Sequence, residues 1–234
     1  MSSESLFDFD RKVQAKLDAP LAERMRPQTF EDFVGQDQIV DPNKVLLKSI
    51  GAGRLPSMIL WGPPGTGKTT LARLVATSTQ SDFQPLSAVT SGVADLRKIV
   101  AEAKDRKGMH RRSTILFVDE IHRFNKAQQD VILPHVEDGT IIFIGATTEN
   151  PSFEIIAPLL SRCRVFTLQS LNPDQMKKII ARALTDGDVG LGPMHATMAD
   201  DDADYLVSLS NGDARIALHA LETAAYHSPP HASG

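Results

Sequence analysis

The sequence has very little cysteine, with a single thiol, Cys163, in 234 residues. One cysteine excludes an intrachain disulfide, and no Cys/His cluster has zinc-finger spacing, so the expected setting is a reducing compartment. Long apolar runs are also absent, and the first residues, MSSESLFDFDRK, lack the basic-then-apolar pattern of an export signal. We therefore expect a protein that is neither secreted nor bound to a membrane, in the cytoplasm of a bacterium or the nucleus of a eukaryote.

An excess of positive charge is missing as well, because 25 basic residues face 29 acidic ones and the formal net charge is −4. This balance gives no general attraction to nucleic acid, although it leaves room for a local basic surface. The hydrophobic share, 41%, is ordinary for a soluble globular protein that buries a core.

Short continuous apolar runs punctuate the first two thirds of the chain, and such runs are typical of strands buried on both faces of a parallel sheet. Segments with helical spacing lie between them, so the pattern predicts a doubly wound α/β fold with a five-stranded parallel sheet. The predicted strands are MILW (58–61), FQPLSA (83–88), ILFV (115–118), IIFI (141–144) and VFTL (165–168), and the predicted helices cover 69–78, 93–103 and 127–136.

The pattern changes after residue 168, where no further strand runs occur and Asn172 with Pro173 predicts the start of a helix. A loop over 186–199, rich in Gly, Asp and Met, is expected to be irregular and mobile. The predicted divisions are an N-terminal tail at 1–19, an α/β domain at 20–168, a small all-helical domain at 169–228 and a C-terminal tail at 229–234.

The stretch GPPGTGKT, residues 62–69, matches the phosphate-loop pattern G-x-x-x-x-G-K-[ST] between a predicted strand and a predicted helix. Its glycines let backbone N–H groups converge on phosphate oxygens, and the helix N-terminus adds a favourable dipole. Lys68 is expected to neutralise the β- and γ-phosphates, and the Thr69 hydroxyl to coordinate Mg²⁺. The residues expected around the nucleotide here are Gly62, Pro63, Pro64, Gly65, Thr66, Gly67, Lys68, Thr69 and Thr70.

The stretch ILFVDEIH, residues 115–122, is an apolar strand that ends in two acids, where strand ends gather around a ligand in an open α/β sheet. Asp119 is predicted to hold Mg²⁺, directly or through water, and Glu120 to polarise the water that attacks the γ-phosphate. An acidic strand end without catalytic duty is the alternative. A phosphate loop is shared by kinases, GTPases, helicases and ATPases, so these two motifs alone do not choose among them.

Two further stretches place polar side chains where they could reach a nucleotide. IIFIGATTENP (141–151) puts Thr147, Thr148 and Asn150 at a strand end, where they could bind the γ-phosphate or orient water, or could simply form the turn. SNGDARIALHALE (210–222) puts Arg215 near a helix start, either to reach the nucleotide or as a solvated surface arginine.

Taken together, the motifs resemble an AAA+ ATPase of the replication-associated recombination protein A family, whose eukaryotic members include the Werner-helicase-interacting ATPases. The resemblance covers residues 20–226. The family is also similar to clamp-loader subunits and to the Holliday-junction branch-migration motor. The phrases that carry it are PLAERMRPQTFEDFVGQ (20–36), WGPPGTGKTTLA (61–72), SAVTSGVADLRKI (87–99), FVDEIHRFNKAQQD (117–130), GATTENPSFE (145–154), LLSRCRVF (159–166) and NGDARIALHALE (211–222).

The resemblance implies a nucleotide-binding AAA+ domain at 20–168, with a helical lid at 169–228 and ATP and Mg²⁺ as cofactors. It also implies that Thr148 is the first sensor and Arg215 the second. The residues it implies near the adenine are Arg24, Arg26, Pro27, Val34 and Gly35.

The segment Ser161-Arg162-Cys163 resembles the motif with which clamp loaders present an arginine finger to the ATP of the neighbouring subunit. A delivered guanidinium stabilises the charge that develops in phosphoryl transfer, so Arg162 is the predicted finger, with Arg164 as the fallback and a salt bridge at a helix end as the alternative. Phosphate chemistry leaves no role for a thiolate, and Cys163 is interpreted as a small packing residue. A finger that acts in trans implies a homo-oligomer.

DNA contacts are expected at HRFNKAQQD (122–130), which resembles the segment that faces the central channel in clamp-loader-like rings. Arg123 and Lys126 could touch phosphates there, in backbone-directed and salt-sensitive binding. The denser basic cluster RKGMHRR (106–112) is interpreted as a solvated loop around a glycine turn.

The resulting prediction is a Mg²⁺-dependent ATPase module that acts on single-stranded, forked or gapped DNA at stalled replication forks, with replication or repair proteins as partners. The alternatives are a clamp-loader subunit or branch-migration motor, and a nucleotide-gated DNA-binding scaffold with little turnover. The resemblance implies a helical oligomerisation domain beyond the second sensor, which these residues do not include, so a truncated fragment or an incomplete gene product is expected. The single cysteine excludes, within these residues, the ubiquitin-binding zinc finger of eukaryotic relatives.

Overall fold

The computed structural model describes residues 18–110 and 112–228. Their contacts divide the chain into an α/β unit, Gln28–Gln169, and a helical unit that joins the residues up to Pro27 to those from Ser170 onward. The predicted tails, apart from residues 18 and 19, and Arg111 of the basic cluster lie outside the described residues. Within the described part, no helix is both long enough and apolar enough to span a bilayer.

The α/β unit is built on a five-stranded parallel sheet with the strand order β2-β3-β4-β1-β5. The strands are β1 (Met58–Trp61), β2 (Asp82–Ser87), β3 (Thr114–Asp119), β4 (Ile142–Thr147) and β5 (Arg164–Thr167). Each predicted apolar run forms one of them, which confirms the predicted sheet. The switch point lies between β1 and β4, because the crossover that leaves β1 leads to β2 on one side and the crossover that leaves β4 leads to β5 on the other side. Such a point is where open α/β sheets bind ligands.

Helices connect and cover the strands. In chain order the described helices are α1 (Leu21–Arg24), α2 (Asp37–Val40), α3 (Val45–Gly51), α4 (Lys68–Ser78), α5 (Val93–His110), α6 (Lys126–Glu137), α7 (Pro151–Glu154), α8 (Ala157–Leu160), α9 (Pro173–Thr185), α10 (Asp200–Ser210) and α11 (Ala214–His227). Short 3-10 turns cover Ile121–Arg123 and Gly192–Met194.

The sheet is buried on both faces because neighbouring residues of one strand enter different cores. Leu60 packs with Leu71 of α4 and Phe117 in one cluster, whereas Ile59 packs with Leu96 of α5 in the other. Alternate side chains of a strand point to opposite faces, so a strand that is apolar throughout requires a cover on each side. The two clusters are the physical basis of the doubly wound arrangement.

Helix α5 corrects the interpretation of the basic cluster, since it runs to His110, well past the predicted end at residue 103. Gly108 therefore lies inside a helix and not in a glycine turn. Arg106 forms ion pairs with Asp82 and Glu102, and the Lys107 ammonium donates to the Gly139 carbonyl at 2.6 Å. These contacts extend the helix, and they give the cluster a structural use that its charge pattern did not reveal.

The helical unit has a core of its own, formed by α1, α9, α10 and α11 around residues such as Leu21, Met176 and Leu218. Helix α9 begins at the predicted helix start, because the Asn172 side chain accepts from the Gln175 backbone N–H at 2.9 Å in a capping box ahead of Pro173. Helix α1, which the sequence interpretation placed in the α/β domain, contacts this unit through the Leu21 N–H, 3.0 Å from the Glu222 carboxylate.

The loop after α9 is irregular, but hydrogen bonds fix the conformation of its first half. The Asp186 carboxylate accepts from the backbone N–H groups of Asp188 and Val189, both at 3.0 Å. The hydrogen bond from Val189 is the main reason why the pKa of Asp186 lies below its usual value. The Leu191 N–H closes the turn by donating to the Ala183 carbonyl at 2.7 Å.

Candidate nucleotide site

The phosphate loop lies between β1 and α4 and closes around the side chain of Lys68. This side chain is buried, and its ammonium donates to the carbonyls of Gly62 at 2.7 Å and Pro63 at 2.8 Å. The Thr66 hydroxyl also donates to the Pro63 carbonyl, at 2.9 Å. The loop therefore holds a cation at its centre, which is the arrangement that a polyphosphate needs.

Gly67 shows why this position of the loop is glycine. Its φ is 95°, in the left-handed region, and it caps the N-terminus of α4. A Cβ built there would lie 2.8 Å from two ring carbons of Phe33, closer than real Cβ atoms approach. The segment that continues through Val34 and Gly35, with Gly35 at φ 81°, thus packs directly under the loop.

Gln36 ties the phosphate loop to the end of β5, a role that the sequence interpretation missed. Its side chain is buried; the amide N–H donates to the Gln169 carbonyl at 2.7 Å and to the Thr66 carbonyl at 3.4 Å, and its oxygen accepts from the Gln169 N–H at 2.9 Å. The available signal was a glutamine directly after the glycine of FVG.

The two acids follow β3 as predicted. Asp119 is its last residue, and Glu120 caps the 3-10 turn with a left-handed backbone, φ 54° and ψ 48°. The Asp119 carboxylate accepts from the Glu120 N–H at 3.2 Å. This conformation is uncommon for a residue with a side chain, and it turns Glu120 out of the strand direction at its end.

A chain of short contacts joins the phosphate loop to Glu120 across the strand ends. The Gly62 N–H donates to the Thr147 carbonyl at 3.2 Å, and the Thr147 hydroxyl lies 3.0 Å from Nδ1 of His122. The same ring nitrogen is 3.3 Å from Oε2 of Glu120. The structure therefore brings together the end of β1, the end of β4 and the acid after β3, with His122 as a member that the sequence interpretation did not single out.

The other polar residues at the end of β4 differ in what they do. Asn150 caps α7, since its side-chain oxygen accepts from the Ser152 N–H at 3.0 Å, which matches the turn-forming alternative. Thr148 directly follows Thr147 and is half-buried. It remains the predicted first sensor.

Arg162 lies after α8 and makes contacts within its own unit. Its guanidinium pairs with Glu137 at the end of α6 and donates to the Pro158 carbonyl at 2.7 Å. Its side chain is nevertheless 40% exposed. Arg164, the fallback, begins β5 and is exposed.

Cys163 packs against the core beneath α8 and α6. Burial raises the pKa of its thiol to about 12, because a thiolate loses hydration in that position. The side chain is thus a neutral packing group at neutral pH.

Four of the predicted residues belong to the helical unit. Arg24 pairs with Glu222 at 3.0 Å and is nearly buried, and Arg26 pairs with Glu23. Pro27 ends this part of the unit. Arg215 is 67% exposed and lies 3.6 Å from the Asp213 carboxylate, which caps α11.

The predicted DNA-contacting residues are both exposed, Arg123 in the 3-10 turn and Lys126 at the start of α6. Among the described residues neither side chain forms an ion pair. Arg112 of the other basic cluster donates through Nε to the Gln80 carbonyl at 2.8 Å, so that cluster is partly occupied by structural contacts.

The ligands available for a metal are few. The described residues contain no group of three or more His, Cys, Asp or Glu side chains that could hold an ion. The predicted set, the Thr69 hydroxyl and the Asp119 carboxylate, provides hard oxygen ligands. Magnesium is usually bound by one or two carboxylates, with waters and substrate phosphates completing its shell, so this set fits Mg²⁺ delivered with a nucleotide.

Comparison with known proteins gives consistent relatives. The family model described as the Holliday junction DNA helicase RuvB P-loop domain matches residues 25–168. The chain is 50% identical over 225 residues to the replication-associated recombination protein A of Escherichia coli K12, covering 96% of this chain and 49% of that protein. It is 43% identical over 218 residues to the ATPase WRNIP1 of Dictyostelium discoideum, covering 93% of this chain and 25% of that protein.

Among solved structures, the chain is similar to Thermotoga maritima RuvB, a Holliday junction branch migration motor. The TM-score is 0.68 with 29% identity, over 85% of this chain and 64% of that chain. The chain spans about half the length of the curated bacterial relatives that it matches.

Proposed function

The chain belongs to the AAA+ P-loop ATPases of the replication-associated recombination protein A family, and we propose that it binds ATP with Mg²⁺ in the loop 62–69 and hydrolyses it. The observation that carries this proposal is the continuous set of contacts from the Gly62 N–H through Thr147 and His122 to Glu120. It joins the phosphate loop to a carboxylate at the switch point of the sheet, where catalysis needs both.

Each residue of the site has one task in this proposal. The Lys68 ammonium exchanges the carbonyls of Gly62 and Pro63 for phosphate oxygens, and Thr69 and Asp119 hold the metal. Magnesium supplies neutralisation of the phosphate charge. Glu120 accepts a proton from the attacking water, and Thr148 contacts the γ-phosphate.

The remaining parts of the nucleotide site are proposed from the resemblance. The resemblance implies that Arg24, Arg26, Pro27, Val34 and Gly35 lie near the adenine, and that Arg215 is the second sensor, in a helical lid. Arg162 completes the site of a neighbouring copy, so the proposed active form is a homo-oligomer.

We propose DNA as the macromolecular partner, and a role in repair or recombination at stalled forks. The support is local, since Arg123 and Lys126 present two exposed cations without ion-pair partners in the described residues. Contacts of this kind go to the phosphate backbone and weaken with salt. The proposed compartment is the one that contains the DNA, which is the cytoplasm of a bacterium or the nucleus of a eukaryote.

The test is the variant Glu120→Gln, in which the side chain keeps its shape and loses its capacity to accept a proton. We expect ATP binding to remain and hydrolysis to fall by roughly 10² or more. The matched control is Glu31→Gln, an exposed acid for which turnover should equal that of the unchanged chain.

Turnover is measured with saturating ATP and Mg²⁺, with and without single-stranded, forked and gapped DNA, and ATP binding is measured separately. Full hydrolysis by Glu120→Gln would contradict the assignment of the acid. An unchanged chain that binds ATP without turnover under every condition would favour a nucleotide-gated scaffold instead.

A further inference from the structure

The side chain of His122 lies next to the proposed catalytic acid, but the proposed function assigns it no task. One ring nitrogen, Nδ1, lies 3.0 Å from the Thr147 hydroxyl and 3.3 Å from Oε2 of Glu120. The side chain is only 12% exposed, and Thr147 is fully buried. A histidine in such surroundings has a fixed orientation, and its fixed neighbour is the hydroxyl.

The hydrogen bonds of Thr147 decide which ring nitrogen carries the proton. Its hydroxyl accepts from the Glu149 N–H at 3.0 Å and can donate to the Glu149 carbonyl at 3.3 Å. One acceptor position remains, and it suits the single N–H of Nδ1, which is then shared between the Thr147 hydroxyl and Oε2 of Glu120 in a three-centre contact. A lone pair on Nδ1 would face the Glu120 carboxylate at 3.3 Å and be repelled by it. The neighbours therefore favour the tautomer that is protonated on Nδ1.

Glu120 needs such a neighbour because little else restrains its carboxylate. Its side chain is 38% exposed, and among the described residues the ring of His122 is the only polar group in contact with its carboxylate. The left-handed backbone fixes where the side chain starts but not where its oxygens end. A carboxylate that must meet one water at hydrogen-bonding distance loses efficiency when it samples other rotamers, and a displacement of about 1 Å can cost about 10²-fold in rate.

We propose that His122 is a positioning residue that holds the Glu120 carboxylate in its water-polarising orientation and anchors it, through Thr147, to the end of β4. Thr147 in turn accepts through its carbonyl from the Gly62 N–H of the phosphate loop, at 3.2 Å. The orientation of the acid is thereby coupled to β4, which ends in Thr147 directly before Thr148, and to the loop that is proposed to bind the nucleotide. This inference rests on the proposed hydrolysis, and it adds His122 as the residue that orients the general base, Glu120.

The experiment compares His122→Ala, which removes the ring, with His122→Asn, which keeps an N–H donor near the position of Nδ1. In His122→Ala we expect kcat to fall by roughly 10- to 100-fold, with the KM and the binding affinity for ATP unchanged. In His122→Asn we expect much of that loss to be recovered. The control is His219→Ala, an exposed histidine of α11, for which we expect no change.

A second comparison separates positioning from a general structural effect. When the change His122→Ala is added to Glu120→Gln, single-turnover rates should fall no further, because the residue through which His122 acts has already lost its function. If His122→Ala does not fold, as judged by thermal unfolding, Thr147→Val tests the same anchor from the other side and should also lower kcat without changing ATP affinity.

Three results would overturn the inference while leaving the proposed function intact: an unchanged kcat in His122→Ala, an equal loss in His122→Asn, or an additive loss in the double variant. Failure of the proposed function has a different signature, since Glu120→Gln would then keep its turnover.

Discussion

At the scale of single residues, Cys163 and Arg162 are adjacent in the chain but differ in burial and in charge. The Cys163 thiol is partly buried against the core, and burial raises its pKa to about 12, whereas the Arg162 side chain is 40% exposed and its guanidinium is paired with Glu137. Only the second of these groups is charged at neutral pH, and only it can be moved to a partner without exposing apolar surface.

The state of Cys163 leads to a direct prediction. Because its pKa is far above neutral, the fraction of reactive thiolate is very small up to about pH 9, and iodoacetamide should label the folded chain slowly. Labelling followed by mass spectrometry checks this, with the urea-unfolded chain as the fast reference. Cys163→Ala should keep its turnover and lose at most a few kcal/mol of stability, about the cost of a small cavity. Rapid labelling of the folded chain at pH 7.5 would show that the thiol is not buried as described.

At the scale of elements, the apolar runs predicted each strand because a strand buried on both faces must be apolar at consecutive positions. The end of α5 was less accessible to sequence reasoning. Its last turns are polar and contain Gly108, and the contacts of Arg106 and Lys107 that extend it come from residues distant in the chain.

Contacts between residues that are distant in the chain also explain which residues of the candidate site the sequence interpretation missed. Lys68, Asp119 and Glu120 belong to short local motifs that are recognisable in the sequence because they match the patterns of phosphate-binding loops and of acidic strand ends. Gln36 and His122 act on partners 133 and 25 residues away, Gln169 and Thr147. No local periodicity records such a pairing, so these residues emerge only when the strand ends have been brought together.

The phosphate loop offers a prediction at this scale. Gly67→Ala adds a Cβ at a φ of 95° and places it 2.8 Å from the Phe33 ring. The left-handed backbone alone costs about 1–3 kcal/mol, and relief of the contact must move the Phe33 ring, the loop or the segment beneath it. We therefore expect ATP affinity to fall by roughly 10-fold or more, measured by titration with a fluorescent ATP analogue.

Gly108→Ala is the matched control, because a Cβ at that helical position meets nothing within 4 Å. This variant should bind ATP as before and gain about 0.5–1 kcal/mol in stability, since alanine loses less entropy in a helix. Normal ATP affinity in Gly67→Ala would mean that the loop can relax away from Phe33 and that this packing does not shape the site.

At the scale of the whole molecule, the question is whether one chain contains a complete site. The intrachain partners of Arg162 are Glu137, Ser161 and the Pro158 carbonyl, all around α8 and the end of α6. An exposed ion pair of this type is worth only about 0–1 kcal/mol, so the guanidinium can leave it at little cost when a stronger anion is offered. A γ-phosphate on a neighbouring copy is such an anion, and bidentate contacts to it are stronger than the pair that they replace.

The prediction is complementation between two inactive variants. Arg162→Ala should bind ATP and hydrolyse it poorly, by about 10³-fold or more if the finger acts as in other phosphoryl-transfer enzymes. Lys68→Ala should lose the nucleotide site of its own chain, but its intact Arg162 can still act at the site of a neighbouring copy. In an equal mixture that assembles at random, roughly a quarter of the interfaces join a competent site to a competent finger, and turnover should recover in proportion.

The turnover of the unchanged chain, measured per chain, should rise with protein concentration, because assembly follows mass action. A mixture no more active than the sum of its parts, together with turnover that is independent of concentration, would place the finger in its own subunit or remove it from catalysis.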